Sequence, residues 1–541
     1  MSAGRPTPHG EVGTERSRGP IRKPDTHMGE ARTIGRAALI VSAGILLSRL
    51  LGLARNLLIA ALLGVSVDTD LYNAAFTIPD YLFFLMAGGY LSITLVPLLT
   101  GRQSAEEANE AFSSVFKVVV GVMVALTAIM IAVARPLTET FFPRVDPAEW
   151  ERLTSMMRIA FGSQVFFVAG TLFMAAQYAQ RRFVIPTIAP IVYNVGIIVG
   201  GLVGWWRGDP NPESFLWGGL AGAAIGNFAI QWFGAHRSGL RFVRHAPLRT
   251  AAVREYFVLA FPLMIGQSAV ALDEAWPRWI GQFAGAEAIS ELTFARTLNM
   301  FPVGVIAQAA GVAAFPFLAR LVADGKHRDM REAVVRSVRG AMAVGGLAAA
   351  GVIALSLPIV RIAYQYNEFT AADSARVAPL LTLYGISIPF WAAHQVYSRA
   401  FYARKQMWVP VGVGTAVTAG LVPALLWAAN RFGTSGIALT ASIGVVAYTL
   451  LIGTAWHRGG TRAEAAAVAG SFAKMALVSV AAGTVATAVY RLTDSWGVVG
   501  AGIVSGVVTA FVYLGLARLV GLEGLDPIWT KLSRRDLTPP G

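Results

Sequence analysis

ILLSRLLGLARNLLIAALLGVSVDTDLYNAAFTIPDYLFFLMAGGYLSITLVP, residues 45–97, contains two apolar runs of membrane-spanning length joined by a short acidic turn. The first run carries Arg49 and Arg55, and the turn carries Asp68 and Asp70. A charged side chain at the centre of a spanning helix costs about 2.5–3.5 kcal/mol on insertion scales. We therefore interpret both arginines as facing a water-filled cavity and an anionic partner, because guanidinium donors match phosphate oxygens. The alternative is that both lie near a helix end and extend to the lipid headgroups.

The composition is that of an integral membrane protein. Of the 541 residues, 55% are hydrophobic and 14% are charged, whereas soluble domains carry about 25% charged residues. Apolar runs of about twenty residues recur along the chain, which is the length of a spanning helix. Because hydrocarbon offers no partner to unpaired backbone groups, these runs predict an all-α polytopic protein with about fourteen transmembrane helices.

The formal charge of +14 comes mainly from short loops between apolar runs. This positive-inside distribution predicts that both termini are cytoplasmic, and it argues against a nucleic-acid partner. The absence of cysteine excludes disulfides and thiolate metal sites. No metal-binding histidine spacing and no catalytic triad is present, so we predict neither a metal site nor a catalytic residue.

An internal repeat is visible in three pairs of prolines, each pair separated by about 220 residues. The pairs are Pro79 and Pro302, Pro97 and Pro316, and Pro186 and Pro410. The repeat predicts two six-helix lobes related by a pseudo-twofold axis along the membrane normal, with substrate bound between them. The predicted divisions are a disordered cytoplasmic tail (1–33), an N-lobe (34–245), a C-lobe (246–460), two extra helices (461–522) and a cytoplasmic C-terminal tail (523–541).

Arg296 is a third arginine inside an apolar run, and it lies in the predicted C-lobe. Together with Arg49 and Arg55 it would place positive charge on cavity walls contributed by both lobes. Such an arrangement suits a pyrophosphate, which needs several donors. The alternative for Arg296 is an ion pair with a buried acid, either Glu291 or Asp273.

Four acidic residues lie within or beside the apolar runs. Asp70 is a candidate binding residue, with helix N-capping as the alternative, because it precedes an apolar run. Asp80 lies deeper and could pair with either arginine of the first run. Asp273 and Glu274 could bind a coupling cation or proton, but Glu274 could also pair with Arg278 one helical turn further on. No other cofactor is predicted.

Several motifs resemble the MurJ/MviN lipid II flippases of the multidrug/oligosaccharidyl-lipid/polysaccharide exporter superfamily. They are SRLLGLARN (48–56), DTDLYNAAFTIPDYL (68–82), RRFVIPTIAPIVYN (181–194), FARTLNMFPVGV (294–305), YQYNEFTAADSARV (364–377) and FYARKQMWVPV (401–411). The resemblance implies that undecaprenyl-pyrophosphate-linked peptidoglycan precursor is moved to the outer leaflet of a bacterial cytoplasmic membrane by alternating access. It implies transport roles for Arg49, Arg55, Asp70 and Arg296, and a lipid-tail groove at the last two helices. It also implies the cell-wall synthesis machinery as a partner.

The sequence departs from the family pattern in the second predicted span. Phe83 and Phe84 stand where many members have paired arginines, Asp80 replaces the usual Asn, and Gly88 replaces an acidic residue. These changes keep open an exporter of another lipid-linked oligosaccharide, or of amphipathic drugs. A membrane enzyme that uses polyprenyl-linked sugars is a further alternative, although the external loops are short.

Overall fold

The computed structural model describes the backbone of residues 26–87 and 90–525. Within those ranges it describes the side chains outside residues 26–40, 42, 87, 90–93, 262–263, 265–277 and 307–316. All regular structure in the described ranges is helical. Counting only this part of the chain, eight helices are long and apolar enough to cross a bilayer, and nine are if one pair bent by 41° forms a single span. The predicted all-α polytopic class is confirmed.

Residues 45–97 lie in four helical segments of the described backbone. The first predicted span is α1 (Thr26–Leu63), which ends at Gly64 with a positive φ of 63°. The second predicted span is broken between α2 (Val67–Ala75) and α3 (Thr77–Ala87), and α4 (Tyr90–Thr100) lies on the other side of residues 88–89, which the structure does not describe. Pro79 accounts for the break between α2 and α3, because proline cannot donate to the carbonyl four residues earlier and its ring crowds the preceding turn.

The rest of the predicted N-lobe continues as α5 (Ala105–Ala132), α6 (Ala134–Phe141), α7 (Trp150–Ala179), α8 (Ala189–Trp206), α9 (Pro212–Gly222) and α10 (Ile230–Arg237). A π-helical segment, Ala223–Ala229, joins α9 to α10. Helices α8 and α9 touch through glycines, since a Cβ built on Gly218 would lie 2.8 Å from the Cα of Gly200. Small residues of this kind let membrane helices approach through their backbones.

The predicted C-lobe comprises α11 (Ala251–Gly281), α12 (Ala288–Ala323), α13 (His327–Ala354), α14 (Ser356–Tyr364), α15 (Ala371–Gly385), α16 (Ile388–Ala403) and α17 (Trp408–His457). Within α17, Gly433 has φ 61° and ψ −146°, so the helix is broken there. Two further helices follow, α18 (Arg462–Leu492) and α19 (Gly497–Leu519). Short 3-10 turns lie at Pro147–Glu149, Ile185–Ile188 and Asp494–Trp496.

The larger of two buried apolar clusters crosses the boundary predicted at residue 245. It contains Leu71 and Phe161 from one side of that boundary and Leu292 and Leu381 from the other. The smaller cluster joins α12, α13 and α16 to α18 and α19, and Tyr513 of α19 donates a hydrogen bond to the carbonyl of Ala343 on α13 at 2.7 Å. The last two helices are therefore packed onto the C-terminal half of the chain.

Candidate functional site

Helices α1 and α12 meet at two points along their length. Asn56 Nδ2 on α1 donates to Thr297 Oγ1 on α12 at 3.4 Å. Further along, the Arg49 guanidinium lies against Gly304, so closely that a Cβ at position 304 would overlap Nη1 of Arg49. The two contacts are seven residues apart on each helix, and the later residue of α1 meets the earlier residue of α12. Helices α1 and α12 therefore pack antiparallel and in register over about 10 Å.

The three predicted binding arginines lie along this α1–α12 junction. Arg49 is exposed beside Gly304, and Arg55 and Arg296 are half-buried. Arg55 Nε donates to Asn56 Oδ1 at 3.2 Å, and Asn56 in turn reaches Thr297, the residue next to Arg296. The structure therefore places Arg55 and Arg296, which are 241 residues apart in sequence, next to one contact between two facing helices. Arg49 and Arg55 are six residues apart on α1 and so point about 120° apart. Together with Arg296 they give the α1–α12 junction three guanidinium groups, which suits an anion with several oxygen atoms.

Asp70 lies in the first turn of α2, but its side chain caps the start of α12 and not its own helix. The N-cap of α2 is Ser66, whose hydroxyl accepts a hydrogen bond from the Thr69 N–H at 3.3 Å. The expectation that Asp70 caps this helix is therefore wrong. Asp70 Oδ1 instead accepts the backbone N–H of Ser290, in the first turn of α12, at 2.6 Å. A carboxylate in this position is stabilised by the unpaired N–H groups and the positive end of the helix dipole.

Other contacts occur at the same end of the molecule, which we call the Asp70 end. The Glu368 N–H donates to the Ala61 carbonyl at 3.2 Å. Trp279 Nε1 and Gln282 Nε2, at the end of α11, donate to the Phe141 carbonyl at 2.7 and 2.8 Å. Like the Asp70–Ser290 bond, each of these contacts joins residues on opposite sides of position 245.

The sequence suggested that Asp80 pairs with Arg49 or Arg55, but the structure gives it a different partner. Its carboxylate binds Nη1 of Arg278 on α11 at 2.8 Å. The reason is that α3 packs along α11, which brings together residues far apart in the chain.

Phe83 and Phe84 give α3 an apolar wall beyond Asp80. Their rings lie 5.9 Å apart in an edge-to-face arrangement, and Phe83 lies 5.5 Å from Phe167. Phe167 in turn contacts Tyr193 at 4.9 Å. The aromatic side chains therefore occupy the positions where the resemblance implied paired arginines.

The remaining predicted residues are only partly covered by the structure. Asp273 and Glu274 lie on α11 but outside the residues whose side chains are described, and Gly88 is outside the described backbone. Glu291, an expected partner of Arg296, binds Arg376 of α15 at 3.2 Å. Among described residues, no group of three histidine, aspartate or glutamate side chains is arranged to hold a metal ion.

Sequence reasoning missed Ser290, Gly304 and Arg278 as site residues. Ser290 and Gly304 contribute a backbone N–H and an absent side chain, neither of which leaves a pattern in sequence. The sequence suggests Arg278 only as a partner of Glu274, although an arginine near the end of an apolar run is itself a signal of a binding residue.

The fold has known counterparts among solved transporters. A structure titled "Lipid II flippase MurJ, inward closed conformation" matches with a TM-score of 0.75 and 20% identity, over 89% of this chain and 98% of that one. An inward-facing multidrug resistance MATE family transporter matches with a TM-score of 0.64 and 14% identity, over 80% and 98%. These likenesses show that the chain has the fold of a polytopic helical membrane protein.

The chain belongs to the MurJ family. The family model described as "Lipid II flippase MurJ" matches residues 59–505. The "Probable lipid II flippase MurJ" of Rhizobium meliloti is 27% identical over 427 residues, 76% of this chain and 78% of that protein. The "Lipid II flippase MurJ" of Burkholderia cenocepacia is 25% identical over 434 residues, 77% and 82%. These relatives are named as flippases, and the chain is accordingly a transporter and not an enzyme.

Proposed function

We propose that this chain is a flippase that moves lipid II from the inner to the outer leaflet of the bacterial cytoplasmic membrane. The observation that supports the proposal is that Arg49, Arg55 and Arg296 all lie at the α1–α12 junction of a MurJ-family chain. The pyrophosphate of lipid II presents several charged oxygens, which guanidinium groups bind with paired donors. The cost of keeping arginines at membrane depth is offset when an anion must pass between them.

Transport proceeds by alternating access between an N-lobe (34–245) and a C-lobe (246–460). The contacts at the Asp70 end support a resting state closed on that side, which the positive-inside rule places outside the cell. The headgroup enters from the cytoplasmic side, binds between α1 and α12, and leaves when the contacts at the Asp70 end separate. Asp70 acts in this scheme by holding α12 and not by touching the phosphate, since its Oδ1 accepts the Ser290 N–H.

The proposed topology has fourteen spans with both termini in the cytoplasm. Helices α2 to α4 form the second span, α9 and α10 form the sixth, and α17 supplies two spans separated at Gly433. The lipid tail lies along α18 and α19. Supporting this placement, these helices carry large exposed apolar side chains, including Leu477, Val480, Ile503 and Phe511.

The membrane potential or an ion gradient drives the cycle. Asp80, Asp273 and Glu274 are the candidate groups for a coupling cation or proton, because intramembrane carboxylates commonly serve that purpose. Enzymes that build or polymerise peptidoglycan are the proposed protein partners. None of these assignments is needed for the headgroup site itself.

A second candidate function is export of another lipid-linked oligosaccharide. The observation that favours it is the aromatic wall of Phe83, Phe84, Phe167 and Tyr193. Aromatic faces pack well against sugar rings and other amphipathic surfaces. This alternative keeps the pyrophosphate site and changes only what is attached to it.

The direct test is rescue of a bacterium depleted of its own lipid II flippase, followed by a leaflet assay with labelled lipid II. Wild-type protein should rescue growth, and Arg296→Ala should lower the flipping rate at least about tenfold, since a charged hydrogen-bond partner of the phosphate is lost. Arg320→Gln is the matched control, because Arg320 lies on the same helix and is exposed.

The outcomes separate the two functions. Failure of well-expressed protein to rescue growth or to flip lipid II would contradict the first proposal. Flipping of a different undecaprenyl-pyrophosphate-linked glycan by the same preparation would then support the second. If Arg296→Ala flips lipid II as fast as the Arg320→Gln control, Arg296 does not belong to the site.

A further inference from the structure

One ion pair joins the predicted lobes between α3 and α11. Asp80 Oδ2 and Arg278 Nη1 are 2.8 Å apart, and both side chains are part-buried, with 38% and 27% of their surface exposed. Keeping two charges in apolar helices is expensive, and replacing both with apolar residues is often neutral or stabilising. Stability alone is therefore a weak reason for this pair to exist.

A chain of contacts connects the helix that carries Asp80 to the anion site described above. Phe83, one turn beyond Asp80 on α3, lies 5.5 Å from Phe167, and Phe167 lies 4.9 Å from Tyr193 on α8. The next residue, Asn194, lies against Gly52 of α1, between Arg49 and Arg55. Packed side chains therefore link α3 to the arginines of the α1–α12 junction. The pair is also partly accessible, so a headgroup at that junction can reach it.

Because positions 83 and 84 of α3 are phenylalanines, a positive charge beside Asp80 has to come from a neighbouring helix. Phe83 and Phe84 are three and four residues beyond Asp80, which places them on the same face of α3, one turn further on. That face presents a carboxylate and two aromatic rings, and the guanidinium that lies against it is supplied by α11.

We propose that Arg278 is an additional pyrophosphate-binding residue, which Asp80 holds in place until the headgroup arrives and takes over its guanidinium. This inference rests on the proposed flippase function. A pyrophosphate carries more negative charge than one carboxylate and offers several oxygens to the planar donors of arginine, so it competes effectively with Asp80. The exchange loosens the bond between α3 and α11, and headgroup binding thereby favours separation of the lobes at the Asp70 end.

The test is a set of dissociation constants for fluorescent lipid II, measured on full-length protein in nanodiscs with inorganic pyrophosphate as competitor. Arg278→Gln should weaken binding about tenfold or more, because a charged donor pair is lost. Asp80→Asn should instead tighten binding about fivefold, because the competing carboxylate is gone. The double variant should bind like Arg278→Gln, since the effect of Asp80 acts through Arg278.

Two further variants separate binding from structure. Arg278→Lys keeps the ion pair but lacks the planar fork, so its affinity should fall between wild type and Arg278→Gln while its thermal stability stays near wild type. Glu255→Gln breaks the other described ion pair between the predicted lobes, Arg102–Glu255 at 2.8 Å, and should leave affinity unchanged.

A purely structural pair predicts the opposite pattern. In that case Asp80→Asn and Arg278→Gln would weaken binding equally, and Arg278→Lys would bind like wild type; either result overturns the inference. If wild type binds lipid II and Arg278→Gln binds it equally well, the inference fails and the proposed function stands. If wild type binds no lipid II, both fail together.

Discussion

Gly304 offers a way to move Arg49 without changing it. A Cβ at position 304 would occupy the space of the Arg49 guanidinium, which is the end of a long flexible side chain and not backbone. Gly304→Ala should therefore displace the guanidinium from α12 and leave the helices in place. We expect transport to fall while the fold is kept.

The expected changes in stability and transport have different magnitudes. Alanine is favoured over glycine in a helix interior by about 0.8–1 kcal/mol, so the fold should be unchanged or slightly more stable. Losing one charged hydrogen bond to the phosphate in the rate-limiting state removes about 1.5–3 kcal/mol, which lowers the flipping rate roughly ten- to a hundredfold. Arg49→Gln should reach a similar rate, and the double variant should be no slower than Arg49→Gln alone.

The assay is lipid II flipping in proteoliposomes, with thermal unfolding of the same preparation as the measure of stability. Gly351→Ala is the control, because nothing lies within 4 Å of a Cβ built at that helical position. A Gly304→Ala protein that transports at the control rate would refute the reasoning, because Arg49 would then act without its place beside α12. A loss of transport accompanied by a much lower unfolding temperature would refute it as well.

Three other substitutions test separate parts of the structure. Asp70→Asn keeps the shape of the side chain but removes the negative charge at the α12 N-terminus, an interaction worth about 0.3–1 kcal/mol. Distances between labels on cysteines introduced into this cysteine-free chain should then show that the Asp70 end opens more often. Unchanged distances would contradict the capping role of the Ser290 contact. Gly218→Leu would press on α8, so we expect about 3 kcal/mol of destabilisation or more and poor folding, and wild-type thermal stability would show that the glycine contact is dispensable. Glu464→Gln weakens the bond to Arg331 at 2.6 Å and should cost about 1 kcal/mol with little effect on flipping, whereas an unchanged unfolding temperature would mean that this bond adds nothing.

The sequence predicted which residues place positive charge at the site, but it did not predict which residues these arginines contact. Arg49, Arg55 and Arg296 were identifiable because arginine inside an apolar run is costly wherever the run packs. Arg49 lies against Gly304, which is 255 residues further along the chain, and such a partner depends on how helices pack. Gly304 is one of 56 glycines, so nothing local marks it as the glycine beside Arg49.

The difference between local spacing and helix packing also explains why the predicted contacts of Asp70 and Asp80 were wrong. Spacing along one helix suggested a cap for α2 at Asp70, but Ser66 lies in the extended conformation that an N-cap requires. The sequence suggested Arg49 or Arg55 of the preceding apolar run as the partner of Asp80, whereas helix packing gives it Arg278. Local rules describe neighbours on one helix well. They do not rank partners on different helices.

Helix α11 belongs to the predicted C-lobe, yet polar contacts bind both its ends to the predicted N-lobe. Near its start, Glu255 pairs with Arg102 with half of the carboxylate side chain exposed, and exposed pairs contribute less than about 1 kcal/mol. Near its end, the Asp80–Arg278 pair is joined by the hydrogen bonds of Trp279 and Gln282 to the Phe141 carbonyl, so separation there breaks three polar contacts and not one. Separation is therefore inexpensive at the Arg102 end and expensive at the Asp70 end, unless an anion takes the place of Asp80. On this argument an empty transporter opens readily only toward the Arg102 end, and the headgroup itself lowers the cost of opening the other way.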